Sequence, residues 1–120
     1  MPLSIKPLVA GNWKMNGLES GLGELRTVMN TVLNGLDRDT DTLLCLPATL
    51  IHRGAAIAKG TPLKIGGEDC HTRDSGAHTG DISAPMLKDA GATHVIVGHS
   101  ERRTDHSETN ETVRAKADAA

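Results

Sequence analysis

The chain has 120 residues and a formal net charge of −2 at pH 7 with its six histidines neutral. That length fits one domain, and the charge leaves no basic excess to recruit nucleic acid or a membrane surface. Apolar residues make up 38% and Trp13 is the only aromatic among Phe, Tyr and Trp, so any core is built from Leu, Ile, Val, Met and Ala, which implies close helix-to-strand packing or burial against more protein.

Cys45 and Cys70 make no disulfide framework, and a reduced, cytoplasmic setting fits them better. The opening MPLSIKPLVAG is too short and too interrupted by Pro2, Lys6 and Pro7 for a signal peptide, and no apolar run approaches the ~20 residues of a membrane helix. Leu8 to Ala10 predict a first short strand, followed by GNWKMN at 11–16. If the extended conformation continues, Asn12 and Lys14 share a side. From Leu18 to Leu36, apolar residues recur at three- and four-residue intervals, the stripe of an amphipathic helix with Asn16 as its N-cap. Thr42 to Leu46 is a second apolar run closed by Pro47, and Leu50 to Ala58 reads as a helix that Gly60 ends. Leu63 to Gly66 gives the third strand.

The polar, glycine-bearing loop at 68–80, EDCHTRDSGAHTG, exceeds the ~2 to 6 residues usual between strand and helix, so it is functional, an interface arm, or disordered. Ser83 can cap a helix containing Met86 and Leu87, with Pro85 in its first turn and Gly91 at its end. Val95 to Val97 is a β-branched run of the kind buried on both faces of a parallel sheet. After it, Thr109 or Asn110 can start a helix with Val113 and Ala117 facing inward. Strands alternating with helices argue for a parallel sheet. Either it is an open four-stranded sheet, which lacks a GxGxxG or P-loop pattern after its first strand, or it is four of the eight units of a (β/α)8 barrel.

Just past the fourth strand stand His99, Ser100, Glu101, Arg102 and Arg103, where α/β proteins place their chemistry. In a parallel sheet the loops after the first and fourth strands open on one face, so Asn12, Lys14, His99 and Glu101 can converge. Lysine offers positive charge for a phosphate or oxyanion, imidazole can move a proton at a carbonyl oxygen, and Glu101 can hold Lys14. This set suits enolisation of a small phosphorylated carbonyl compound. On spacing alone, surface charges and a hydrogen-bonded loop histidine explain the same residues. A helical turn over 100–103 would put His99 at a positive helix end, favouring a neutral, proton-donating ring. Cys70 and His71 are adjacent, but no CxxC or HxxxH pair supports a zinc site. Cys45 reads as core, and His52, His94 and His106 as residues without chemistry.

Three stretches, AGNWKMN at 10–16, GAHTGDISAPMLKDAGA at 76–92 and VIVGHSERR at 95–103, closely resemble the triosephosphate isomerase family in order and spacing. The resemblance covers essentially the whole chain and corresponds to the amino-terminal half of that family's chain. It implies a (β/α)8 barrel, of which residues 1–120 form a single unit of about four βα repeats. It also implies a cofactor-free, cytoplasmic homodimer that interconverts dihydroxyacetone phosphate and glyceraldehyde 3-phosphate in glycolysis and gluconeogenesis, with no metal. By matched motif, His99 would polarise the carbonyl, Asn12 and Lys14 would bind substrate and stabilise the enediolate, and Glu101 would support Lys14. The 68–80 loop would insert into a second subunit, with Thr79 approaching the partner's Asn12 and Asp81 facing the partner's Arg102. Glu68 and Asp69 depart from the family's usual amide pair, and His78 stands where an aromatic is frequent. The family's glutamate base lies beyond strand six, so the 120 residues alone are expected to have little activity. The competing expectation is a non-catalytic half-barrel that associates with a copy of itself.

Overall fold

The structure is a computed structural model that describes residues 5–120, apart from the side chain of Asp37. The targeting reading of the opening residues therefore falls partly outside it. Strands β1 (Leu8–Asn12), β2 (Asp41–Cys45), β3 (Lys64–Gly67) and β4 (His94–Val95) form one sheet in chain order. All neighbours are parallel, with Ala10 opposite Leu43, Leu44 opposite Ile65 and Gly67 opposite Val95. Helices α1 (Leu22–Leu33), α2 (Ala48–Ala58) and α3 (Ala84–Ala90) join successive strands, and α4 (Ser100–Asp105) and α5 (Asn110–Ala119) follow the last. Among the described residues, no helix is long and apolar enough to cross a membrane.

The core lies between sheet and helices. Leu25 and Val32 of α1 and Leu50 and Ile51 of α2 pack with Leu44, Leu46 and Ile65. The strand β2 reads TLLC because both of its faces are covered. β1 differs: Val9 is 59% exposed, for β1 is an edge of this sheet. β4 is the other edge and is shorter than its apolar run predicts. Ile96 continues the pairing with one N–H bond to the Gly67 carbonyl (3.1 Å), but Val95, Ile96 and Val97 are only half-buried because one side has no neighbouring strand.

Two helix readings need correction. The stripe from Leu18 does not form one helix from Asn16: residues 19–21 make a 3₁₀ turn and α1 begins at Leu22. Gly17 adopts φ +111°, and Asn16 donates its amide to the Trp13 carbonyl (2.9 Å) instead of capping. Leu18 and Leu36 are consequently exposed. In α5, capped as expected by Thr109 Oγ1 accepting from the Thr112 N–H, Ala117 is exposed and Lys116 turns inward in its place. The predicted cap of α3 is present, with Ser83 Oγ accepting from the Met86 N–H (3.3 Å) and Gly91 closing the helix at φ +110°.

An ionic cluster fastens the last two helices to the end of β3. The Lys116 ammonium donates to Asp69 Oδ1 (2.8 Å) and to Glu108 Oε2 (2.6 Å). Arg102 donates from Nε to the same Glu108 oxygen (2.8 Å) and reaches Asp69 (3.2 Å). The Glu108 side chain is only 5% exposed. Burial raises its pKa, but the bonds from Lys116 and Arg102 outweigh that and hold the carboxyl below its ordinary value. For Lys116, burial works against the charge and the bonds to Asp69 and Glu108 raise its pKa.

Two outcomes follow. Gly91→Ala should destabilise the fold by roughly 1–3 kcal/mol in chemical denaturation, since a Cβ there meets Ala55 Cβ at 2.5 Å on a left-handed backbone. Glu108→Ala should cost about 1.5–3 kcal/mol at neutral pH by removing the charged hydrogen bonds that Lys116 and Arg102 make to it, Asp69 remaining as their partner. Because Glu108 has a depressed pKa when folded, its stabilisation is present above the ordinary glutamate range and is lost as the pH falls through the folded value, so the variant's acid denaturation profile should be flatter.

Candidate active site

Parallel strands carry their following loops to the same edge, and here the segment after β1 meets the segment after β4. The chain does not stay extended beyond Asn12, as sequence alternation assumed. Lys14 adopts φ +57°, unusual for a residue with a side chain, and its N–H donates to Asn12 Oδ1 (2.8 Å). That local turn sends the Lys14 ammonium to Glu101 Oε1 at 2.5 Å, across 87 residues of sequence. The Lys14 hydrogen bond is the main cause that holds the Glu101 carboxyl below its ordinary value.

The helical turn expected after β4 exists, and His99 caps it. Its Nδ1 accepts the Glu101 N–H of α4 at 3.2 Å. An Nδ1 that accepts a bond carries no proton, so a neutral His99 ring has its proton on Nε2. Glu101 Oε2 stands 3.5 Å from the same Nδ1, the longer of the two approaches. Gly98 makes the entry to this turn possible at φ +67°, where a Cβ would meet Val113 Cγ1 at 2.6 Å. Arg103 braces the turn by donating to the Gly98 carbonyl (3.1 Å) and to Asn110 Oδ1 (2.8 Å).

Lys14, His99 and Glu101 line a cleft of ≈ 560 Å³ together with Glu68, Asp81 and Arg102. Asn12 ties down the Lys14 backbone and is not among the lining residues. Thr79 is exposed on the 68–80 loop and is not among the lining residues, although Gly80 and Asp81 beside it are. Asp81 lies 3.7 Å from His71 Nε2, and Arg102 is held within the chain by Glu108 and Asp69.

Glu68 gains weight that its sequence position alone does not convey. Its Oε2 is closed to solvent and has no hydrogen-bond partner among the described residues. Burial, with a smaller push from Glu101 and against the pull of the Lys14 backbone N–H, raises its carboxyl pKa from 4.5 to about 7. Sequence reasoning also missed Glu108 and Lys116: Glu108 precedes α5, so no helical spacing links them. Burial pushes the Cys45 thiol up to about 11, which suits a core residue.

Donor atoms of His71, His78 and Asp81 come within 4.8 Å of one another, a grouping the sequence spacing does not flag. The two rings are stacked 4.0 Å apart at 27°, so their in-plane lone pairs run side by side and do not converge on one ion. His71 Nδ1 is moreover taken by the Arg73 N–H (2.9 Å).

A profile of the family described as Triosephosphate isomerase matches residues 7–120. The chain is 59% identical over 120 residues to the triosephosphate isomerase of Mesorhizobium japonicum and 61% identical to that of Afipia carboxidovorans, covering all of this chain and 47% of each relative. A crystal structure of triosephosphate isomerase from Bartonella henselae superimposes with a TM-score of 0.90 at 52% identity, over 97% of this chain and 47% of that one. The chain spans just under half the length of the curated relatives it matches. A four-stranded parallel sheet with the site at its carboxyl edge, matched in sequence and in three dimensions over nearly its whole length, means that the chain belongs to the triosephosphate isomerase family and forms the first βα units of its barrel.

Proposed function

We propose that residues 1–120 are the amino-terminal half of a cytoplasmic isomerase. Through an enediolate and without a cofactor, the enzyme interconverts dihydroxyacetone phosphate and glyceraldehyde 3-phosphate in glycolysis and gluconeogenesis. The observation that carries this reading is the Lys14–Glu101 pair beside a histidine whose Nδ1 is engaged by a helix N–H. On this reading, Lys14 draws a phosphorylated anion into the cleft and faces the negative charge that develops on the substrate oxygens. Glu101 keeps that ammonium in one place. His99, with Nε2–H directed away from its own cap, donates a hydrogen bond to the carbonyl oxygen and passes the proton between the two oxygens of the enediolate. Asn12 acts through the turn that it closes on Lys14, and in the assembled site it shares in binding the substrate.

The carbon-bound proton needs a base within reach. Glu101 is engaged by Lys14, and one Glu68 oxygen is closed to solvent, so in this reading the base belongs to the other half of the barrel. That half would also pair the open edges of β1 and β4. The 68–80 loop is the homodimer arm, with Thr79 near the partner's Asn12 and Asp81 opposite the partner's Arg102. The exposure of Thr79 and of Met15, which is 96% exposed, supports it.

In the complete polypeptide, His99→Asn should lower kcat by roughly 10²–10⁴-fold with a small change in KM. Lys14→Met should lower kcat by roughly 10²–10³-fold and also raise KM. Steady-state kinetics with glyceraldehyde 3-phosphate measure both, and full activity in either variant would refute the assignment. Residues 1–120 alone should give negligible turnover in the same assay.

A further inference from the structure

His99 stands between two peptide groups that one residue, Arg103, holds. Gly98 before it adopts φ +67°, and glycine has the widest backbone freedom of any residue. Val113 of α5 closes one side: its two γ-methyl groups lie 2.6 and 2.8 Å from where a Gly98 Cβ would stand. On the other, Arg103 donates from Nε to the Gly98 carbonyl (3.1 Å), and because a peptide group is planar that bond also orients the nitrogen of His99. The Arg103 backbone N–H donates in turn to the His99 carbonyl (3.1 Å), which holds the peptide that follows. With Nδ1 engaged by the Glu101 N–H as well, the backbone and the ring of His99 are both tied, and Nε2 keeps one direction. The guanidinium is itself anchored, since Nη1 donates to Asn110 Oδ1 (2.8 Å) in the first turn of α5. Asn110 and Val113 have the three-residue spacing of one helix face, so α5 meets the His99 turn through a polar contact and an apolar one.

We propose that Arg103 is a positioning residue for the proton-transfer step: by tying the Gly98 and His99 carbonyls to α5, it keeps the Nε2–H of His99 aimed at the carbonyl oxygen of the substrate. The inference rests on the reading of His99 as the group that moves the proton. Gly98, Arg103, Asn110 and Val113 all belong to this chain, none of them lines the cleft, and none lies on the surface assigned above to a second subunit. Arg103 therefore acts through His99 and not by touching substrate. A hydrogen bond is directional, and a swing of the backbone at Gly98 is magnified at the far end of the imidazole. Its cost falls on the transition state, where Nε2 must meet the developing charge, and not on ground-state binding.

The test is steady-state kinetics of the complete polypeptide with glyceraldehyde 3-phosphate, on Arg103→Met alone and combined with His99→Asn, at a temperature where circular dichroism shows each variant folded. Arg103→Met should lower kcat by roughly 10- to 100-fold with KM within about twofold of the wild type. In the His99→Asn background the same change should cost less than about twofold in kcat, because no imidazole remains to be aimed. Asn110→Leu, which removes the anchor but keeps the bond to Gly98, should lower kcat by less than Arg103→Met does, and Asn110→Asp, which keeps an acceptor, should restore it. This second pair carries the test if Arg103→Met does not fold. Undiminished kcat in Arg103→Met, an equal fold-loss with and without His99, or equal kcat in the two Asn110 variants would overturn the role of Arg103 and leave the isomerase reading untouched. Full turnover in His99→Asn alone would overturn the assignment of His99, and this inference with it.

Discussion

The Lys14–Glu101 ion pair joins the first loop to the last strand–helix junction across 87 residues, and the parallel arrangement of the sheet is what permits it. Had β1 run opposite to β4, the loops after them would leave opposite edges of the sheet and the two side chains would stand about a strand length apart. The pair is half-exposed, so its contribution to stability is small, and its value is positional. It fixes an ammonium beside His99 at the one edge where loops from β1, β3 and β4 all arrive. The left-handed turn at Lys14, closed by its N–H on Asn12 Oδ1, lies at the same junction.

Stability comes from elsewhere. The apolar contacts of Leu25, Leu46, Leu50 and Ile51 hold α1 and α2 to the sheet, but α4 and α5 contribute almost nothing to that core. They are fastened through Arg102, Lys116, Asp69 and Glu108, a charge-balanced cluster in which Lys116 and Glu108 are largely shielded from solvent and Arg102 and Asp69 are partly exposed. Arg102 belongs to that cluster and also lines the cleft, so the scaffold and the site share a side chain. Glu68, next to Asp69 in the chain, is the neighbour left out of the pairing.

Much of this was legible in the sequence. The four strands, the cap at Ser83, the stop at Gly91 and the turn after β4 follow from local signals, and local signals survive folding when tertiary contacts agree with them. Periodicity misled where backbone chemistry intervened: the leucines from 18 onward keep helical spacing, but the left-handed backbone at Gly17 and the 3₁₀ turn over 19–21 delay the α-helix to Leu22. Lys116 was read past because a lysine on an amphipathic helix is ordinarily solvated, and its partners lie 47 and 8 residues away. The raised pKa of Glu68 could not be read at all, since it comes first from burial that only the folded chain creates.

The most direct test of the account is to run the isomerisation of dihydroxyacetone phosphate by the complete polypeptide in D₂O and examine the glyceraldehyde 3-phosphate formed by mass spectrometry and NMR. An enediolate held by Lys14 and His99 exchanges its abstracted proton with solvent, so the product should carry deuterium at the carbon next to the aldehyde. Product that forms at full rate with only protium at that carbon would mean that the hydrogen never exchanges with solvent, and would contradict the solvent-exchanging enediolate assigned to this cleft.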